Sequence, residues 1–494
     1  MDGTEDQVAA SIVEAFETLK TVQARRAVYH GILDQLHLDE WRDVSIRAKK
    51  ISFQRDILGS LPLEIVAQIV KYLDLWDILR FQRVSKRWQE LLSSTVIYSA
   101  ALKAYRICPG LAVCKSLFVR CAKRRFALEF GRPYSKAVYP FDRTELREPD
   151  LGDRIAYCHR QLAWGEVDED WRSLGVAVRC LQSGLIRRFV PPNRGNISHV
   201  RLSESLLVVI TSEGYCTVWE ISTERRVSFR LPSIAIEEVT VDRDRVAIIT
   251  KGKPPSLVVW DLRTGATRSV HIKERPLIAG FHPGADRLII LFLEKNDLSG
   301  PSKIVRVRYS FAGKTISPLE EPQVSFALPR CFSREPCLSG FWQYSSEIAG
   351  ATTGLLIISH LHPNNHIHVS HLLCYYPETD KMSLGSPMDD VKGQDNVPSD
   401  ADLLMTSDGV TYHMKYVPQS PSHVWIYNPN SPTPFRKSKS IQIEIEDERS
   451  DYMLFGDTDV FGIISMTGIQ VWSFDPSLDL FDGHRLWKDA PGQE

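Results

Sequence analysis

Apolar residues recur along this chain with two different periods. From residue 1 to about 130 they return every three or four positions, as in Val8, Ile12, Ala15, Leu19 and Val22. That spacing predicts amphipathic helices. A second such stretch carries Ile32, Leu33, Leu36, Trp41, Val44 and Ile46. From about residue 150 onward the pattern changes to short apolar runs separated by turn residues, which predicts strands.

The region 58–98 predicts three short helices. Pro62 suits a first helical position, where its missing N–H costs nothing. Glu64 falls in the first turn, where a negative charge meets the positive helix end. Ile65, Ile69 and Leu73 then form one apolar stripe. Asp74 is placed to cap a second helix filled by Ile78, Leu79 and Phe81. Ser85 is placed to cap a third, with Trp88, Leu91 and Leu92 on its apolar face. A unit this small has little core of its own and needs a partner or flanking structure.

These residues resemble an F-box. The elements are Leu61-Pro62, Glu64, Ile65, Ile69, Tyr72-Leu73 and a late Val84-Ser85-Lys86-Arg87-Trp88, in order and at the family's spacing. The lead-in up to Pro62 is similar to that of large fungal F-box proteins.

In the strand region one unit recurs: strand, polar turn with Gly or Asp, strand. Aligned on one position, the copies carry Arg179, Trp219, Trp260, Arg308, Tyr375, Trp425 and Trp472, at intervals of 40, 41, 48, 67, 50 and 47. A repeat of short strands with this period predicts a β-propeller, in which stacked blades cover each other's apolar faces. Seven copies predict seven blades. The interval of 67, which contains Phe341-Trp342, leaves room for an insertion or a further blade. Trp260-Asp261 is a WD dipeptide, so the ring resembles a degenerate WD-repeat propeller. Two packed β-sandwiches are the competing architecture.

The organisation expected is therefore a multidomain α plus all-β chain. A helical extension occupies 1–55, the F-box 56–107 and a helical or irregular linker 108–150. A WD-like propeller spans 151–489, and 490–494 form a tail.

Composition narrows the function classes. The 494 residues amount to about three domains' worth of chain. Lys plus Arg is 60 and Asp plus Glu is 61, a net charge of −1, so bulk polyanion binding is not expected. Apolar runs such as Leu206–Ile210 fall far short of the roughly 20 residues a bilayer requires. The acidic opening MDGTEDQ does not look like a signal peptide, so an intracellular protein of the cytoplasm or nucleus is expected. Nine scattered cysteines without a C-x-x-C pair fit reduced thiols rather than disulfides or a zinc ribbon. Between residues 101 and 136 there are nine Lys/Arg and one acid, Glu129. Interleaved Val113, Leu117, Cys121 and Leu128 favour a solvated helix face there over a nucleic-acid patch.

Catalytic motifs are not found. Gly313-Lys314-Thr315 mimics the tail of a phosphate loop but lacks its upstream glycine. In IISHLHPNNHIHVSH, a turn at Pro363–Asn365 would pair His362 with His366 and His360 with His368. Four imidazoles in a flat row do not make a tetrahedral metal site, so neither metal nor cofactor is expected.

The resemblance supplies the expected function. It implies a non-catalytic substrate-recognition subunit of an SCF-type cullin–RING ubiquitin ligase, with the F-box docked on an adaptor tied to a cullin. The propeller would hold an unknown target protein. The residues carried over as adaptor-binding are Leu61, Pro62, Glu64, Ile65, Ile69, Leu73, Leu79, Val84 and Trp88. Target-binding candidates are loops: Lys251 and Lys253 in KGKPP, and the segment Glu294–Pro301. An F-box scaffold acting without a cullin is the alternative; a propeller enzyme would need acids or a metal at the ring centre.

Overall fold

A computed structural model describes residues 3–50, 56, 58–105, 113–141, 151–167, 173–273, 275–282, 286–294, 303–311, 316–319, 324–327, 337–339, 354–361, 368–376, 381–384, 403–405, 411–415, 422–427, 440–443, 452–457, 459–465 and 468–486. The chain divides into two units, Met1–Pro62 and Leu63–Glu494.

In the first unit the 3.6-residue pattern forms α1 (Gly3–Thr18), α2 (Val22–Leu33) and α3 (Leu38–Lys50). Thr21 caps α2 by accepting from the Ala24 N–H at 3.2 Å. The apolar stripe does not become a core: Val8, Ile12 and Trp41 are all exposed.

The second unit opens with α4 (Leu63–Ile69), which a 3-10 turn at Val70–Tyr72 extends. Pro62 stands one residue ahead of the first helical position rather than in it, and Leu73 is already extended. Next come α5 (Leu75–Phe81), α6 (Lys86–Leu92), α7 (Thr95–Ala104) and α8 (Lys115–Glu129). The expected caps form. Asp74 accepts from the Trp76 N–H at 3.0 Å, and Ser85 Oγ from the Trp88 N–H at 3.1 Å. Val66, Val70, Leu75, Ile78, Leu92, Ile97, Leu102 and Phe118 are buried together as the local core of this helical end. The three predicted helices thus acquire a core only because α7 and α8 close over them.

The remaining strands fall into seven antiparallel sheets among the described residues, a β-propeller architecture. Sheet 1 holds Ile155–Cys158, Gln161–Val167, Ser173–Cys180 and Ile186–Phe189. Sheet 2 holds Ile197–Leu202, Leu206–Thr211, Tyr215–Glu220 and Arg226–Arg230. Sheet 3 holds Ile236–Asp242, Arg245–Thr250, Ser256–Asp261 and Thr267–His271. Sheet 4 holds Pro276–Phe281, Arg287–Glu294 and Lys303–Ser310, whose last strand also pairs with Ser317–Pro318 and Val324–Ala327. Sheet 5 holds Cys337–Ser339, Gly354–Leu361, His368–Tyr376 and Lys381–Leu384. Sheet 6 holds Leu403–Met405, Thr411–Lys415, Ser422–Tyr427 and Ser440–Ile443. Sheet 7 holds Tyr452–Gly456, Val460–Ser465 and Gly468–Ser473. First strands of consecutive sheets lie side by side from sheet 1 to sheet 4, and the first strand of sheet 7 neighbours those of sheets 6 and 1.

Sheet 7 is completed from the other end of the chain. Ser135–Pro140 pairs antiparallel with Gly468–Ser473, with Ala137 opposite Val471, and His484–Arg485 lies beyond it. That strand falls inside the stretch 108–150 expected as linker, so the ring begins near residue 135. A single strand carries too little pattern to be told from linker by periodicity; only its partner, more than 300 residues away, makes it a strand.

All seven aligned repeat positions lie on the third strand of their sheets. Trp219, Trp260 and Trp472 are buried, whereas the side chain of Trp425 lies outside the described residues. Register corrects three of the seven: Arg308, Tyr375, which faces the first residue of its partner strand (Gly354), and Trp425, which faces the third (His413). Trp219 faces Leu207, Trp260 faces Val246 and Trp472 faces Phe461, each the second residue of its partner strand. In sheet 4 that place belongs to Tyr309, opposite Leu288 and buried, not to Arg308. Arg179 keeps the position in sheet 1, where its guanidinium stacks 3.7 Å from the Tyr139 ring centroid. The long interval of 67 holds an extra strand, Val324–Ala327, on sheet 4; Phe341-Trp342 lies outside the described residues.

The histidine hairpin has a different register from the one expected. Leu361 opposes His368 and His360 opposes Val369, so His360 and His368 do not pair. Six residues separate Leu361 from His368, an even number, whereas a three-residue turn requires an odd one. His362 and His366 lie outside the described residues, as do Gly313-Lys314-Thr315 and all of the Glu294–Pro301 segment beyond Glu294.

Candidate protein interface

Helix α4 is apolar on two sides, and this sets the character of the helical end. Val66, Ala67 and Val70 turn inward and are buried. Ile65 stays 47% exposed and Tyr72 78%, with Ile69 and Leu73 half-buried. A short helix with a satisfied inner face and a second apolar strip on its outer face has surface left for a partner.

The other candidate residues divide in the same way. Leu61, Leu79 and Trp88 are half-buried, whereas Pro62, Glu64 and Val84 are exposed. None of the nine is fully buried. Trp88 meets Phe81 edge-on, ring centroids 5.9 Å apart, which sets its orientation beside the exposed Val84. Tyr72 was recognised only as part of the motif; its exposure adds it to the outer strip.

Helix α8 joins this end to the ring. On the helical side, Phe126 packs 4.7 Å from Trp76, Phe118 stacks 4.2 Å from Tyr98, and Arg125 Nε donates to Asp74 Oδ2 at 2.9 Å. On the ring side, Ala127 and Leu128 enter a cluster with Val424, Ile426, Leu454, Phe461, Trp472 and Phe474 of sheets 6 and 7. The helix is therefore covered on both flanks.

A buried ionic network reinforces the joint. Arg124 Nη1 donates to Asp459 Oδ1 at 2.6 Å. Arg120 reaches Asp475 at 2.8 Å and Asp459 at 3.3 Å. Arg160, in the first turn of sheet 1, reaches the same two carboxylates at 3.3 and 3.4 Å. Burial alone would raise the Asp459 carboxyl, but Arg124, followed by Arg120 and Arg160, holds it below its ordinary value. Next to it, burial and then the Asp459 charge push Asp457 up. Tyr157 donates to Asp457 at 2.8 Å. In the basic stretch expected as a solvated helix face, Lys103, Lys115 and Arg132 are exposed, but two arginines are not. Arg124 and Arg125 are buried counter-ions. The sequence signal was present: Arg120 and Arg124 sit four apart, among Leu117, Cys121 and Leu128, where solvated arginines would interrupt a buried stripe.

The joint also distinguishes the two sides of the ring. In these antiparallel sheets the turns joining strands one to two and three to four lie on one side; the two-to-three loops and the connections between sheets lie on the other. Asp457 and Asp459 belong to a first-to-second turn, Asp475 follows a third strand, and Arg160 lies in a first-to-second turn. The helical end therefore occupies the first side. Lys251 and Lys253 lie in the second-to-third loop of sheet 3, on the opposite side, and both are exposed. Lys251 Nζ sits 4.0 Å from Glu237.

Comparison with known proteins agrees with the helical end. The F-box-like family matches residues 58–103. A curated relative from Neurospora crassa, named "Probable E3 ubiquitin ligase complex SCF subunit scon-2", is 26% identical over 172 residues, covering 33% of this chain and 25% of the relative. The chain thus matches about a quarter of that relative's length. Among solved structures, the β-propeller domain of the Trilobed protease from Pyrococcus furiosus is 11% identical with a TM-score of 0.42, covering 69% of this chain and 98% of the other. The WD40 domain of SCAP from fission yeast is 10% identical with a TM-score of 0.37, covering 68% and 100% respectively.

Proposed function

We propose that this chain, through its F-box-like domain at residues 58–103, is the substrate-recognition subunit of an SCF-type cullin–RING ubiquitin ligase. The observation that carries the reading is the division of α4 between a buried inner face and an outer strip at Ile65, Ile69 and Tyr72. That strip stays open on a domain of this family while α8 holds the domain's other side to the propeller. The adaptor occupies the strip and the cullin follows from it.

The receptor performs no covalent chemistry. It raises the local concentration of target lysines beside a charged conjugating enzyme. A joint that is packed and ionically closed on both flanks serves this role, because a loose one would spread the target over a larger volume. The target occupies the side of the ring opposite α8, where Lys251 and Lys253 lie, and each of the seven sheets is one blade.

Co-expression with adaptor and cullin tests the reading. Leu61→Ala with Pro62→Ala, and separately Ile65→Asp, are expected to abolish co-purification of both partners while the propeller melts almost unchanged. Normal recovery of adaptor and cullin by both variants would overturn the docking assignment. Recovery of adaptor without cullin from the native chain would favour a scaffold that works outside a ligase.

A further inference from the structure

On the side of the ring opposite α8, the chain holds one of its own carboxylates against a cationic site. A four-residue helix, α9 (Leu151–Arg154), precedes the first strand of sheet 1 and lies beside the first strands of sheets 1, 2 and 7. Arg201 Nη2, from the first strand of sheet 2, donates to Asp153 Oδ1 at 2.8 Å, and its Nη1 to the Asp153 carbonyl at 3.3 Å. His199 lies two residues earlier, on the same face of that strand, with Nε2 3.7 Å from Asp153 Oδ2. Among the described residues, Asp153 is the carboxylate paired with Arg201.

The two sides of this contact are unequally built. Arg201 is anchored independently of Asp153: its Nε donates to the Val239 carbonyl at 3.3 Å and its Nη1 to the Val200 carbonyl at 3.0 Å. Its side chain is 21% exposed. The Asp153 side chain is 57% exposed. A single turn of helix has no stability of its own. An exposed ion pair holds such a turn only weakly. The His199 imidazole is held below its ordinary value chiefly by burial and then by Arg201 and Lys251, against the Asp153 charge that raises it. The half-buried Glu238 beside it is pushed up to about 7, chiefly by desolvation, so it neutralises Arg201 only partly at neutral pH.

We propose that Arg201 and His199 form a carboxylate-binding site for an acidic peptide segment of the target, and that Asp153 is an internal occupant which such a segment must displace. The inference rests on the receptor reading above and adds the chemical class of what is received. A site blocked by its own chain binds at its intrinsic strength divided by the fraction of time it is open. Removing Asp153 therefore tightens binding without adding a contact.

The test uses the full chain co-purified with adaptor and two fluorescein-labelled decapeptides, one with four glutamates and one with glutamines in their place. In fluorescence anisotropy, Asp153→Asn is expected to bind the glutamate peptide about fivefold more tightly than the native chain, while the glutamine peptide stays unbound. Arg201→Gln added to Asp153→Asn should remove the gain at unchanged melting temperature. Equal affinities for the native chain and Asp153→Asn overturn the proposal. So does a gain that survives Arg201→Gln, equal binding of the glutamine peptide, or no binding by any variant. A phosphoserine peptide run alongside identifies the source of the anion. If it alone binds and Asp153→Asn does not tighten it, the carboxylate site is refuted. Adaptor recovery from the same samples is read separately: its loss in the native chain refutes the receptor reading whatever the peptides show.

Discussion

Replacing Asp459 with asparagine perturbs the joint between helical end and ring at its centre. The substitution keeps the shape and removes the charge that Arg124, Arg120 and Arg160 share. The Arg124 side chain is only 10% exposed, so its charge cannot be returned to water without moving α8. Removing one partner of a buried pair costs about 3–5 kcal/mol, chiefly by leaving the other charge uncompensated. Here the loss is smaller, because Asp475 still accepts from Arg120 and Arg160. About 2–3 kcal/mol is expected once that remaining partner is counted. The unfolding entropy of about 2.1 cal/mol/K per residue makes this a fall in melting temperature of about 3 °C for a unit of this size. The sign of the pH dependence follows from Asp459 being held low. Its contribution is present above the unfolded carboxylate value and is lost as pH falls through its lower folded value, so the advantage of the native chain over Asp459→Asn should persist from pH 8 down to pH 4 and shrink only below the unfolded value. Differential scanning fluorimetry from pH 4 to 8 measures the shift. Amide exchange across 115–129 measures whether α8 loosens, and in a reconstituted ligase the variant should modify target more slowly at unchanged adaptor affinity. An unchanged melting temperature together with unchanged exchange in α8 would refute the view that this network fixes the joint.

Three further outcomes are expected. Lys251→Glu with Lys253→Glu should leave adaptor recovery intact and change which target is retained, as read by proximity labelling from an F-box-deleted chain; loss of adaptor would place these lysines in the wrong interface. Glu238 has its folded value raised to about 7, so it costs stability as pH rises from the unfolded carboxylate value through that point. Glu238→Gln should flatten the decline in melting temperature between pH 5 and 8, and an unchanged slope would show that the carboxyl is not buried as described. Trp260→Ala, which empties one of the largest fully buried positions, should cost about 3–5 kcal/mol in denaturant unfolding, and a loss under 1 kcal/mol would contradict its burial.

Much of this protein was legible along the chain because the interactions concerned are local or periodic. The helices of 58–98 carry their own caps at Asp74 and Ser85, and a cap acts within three residues of itself. The repeat announced itself because each blade solves the same packing problem, so Trp219, Trp260 and Trp472 return to the same strand of successive sheets. Spacing alone could not resolve single-residue register. Arg308 stood in for Tyr309, and the histidine pairing slipped by one, because a strand's period of two makes adjacent alignments equally regular until hydrogen bonds select one. Three features belonged to the tertiary structure alone: Ser135–Pro140 as a strand of the last sheet, the pairing of Arg124 with Asp459, and the meeting of Asp153 with Arg201. The two charge pairs join residues 335 and 48 positions apart, and the strand joins the beginning of the ring to its end. No sequence pattern records such a meeting, because it exists only once the ring has closed and brought distant charges and strand edges into the same low-dielectric space.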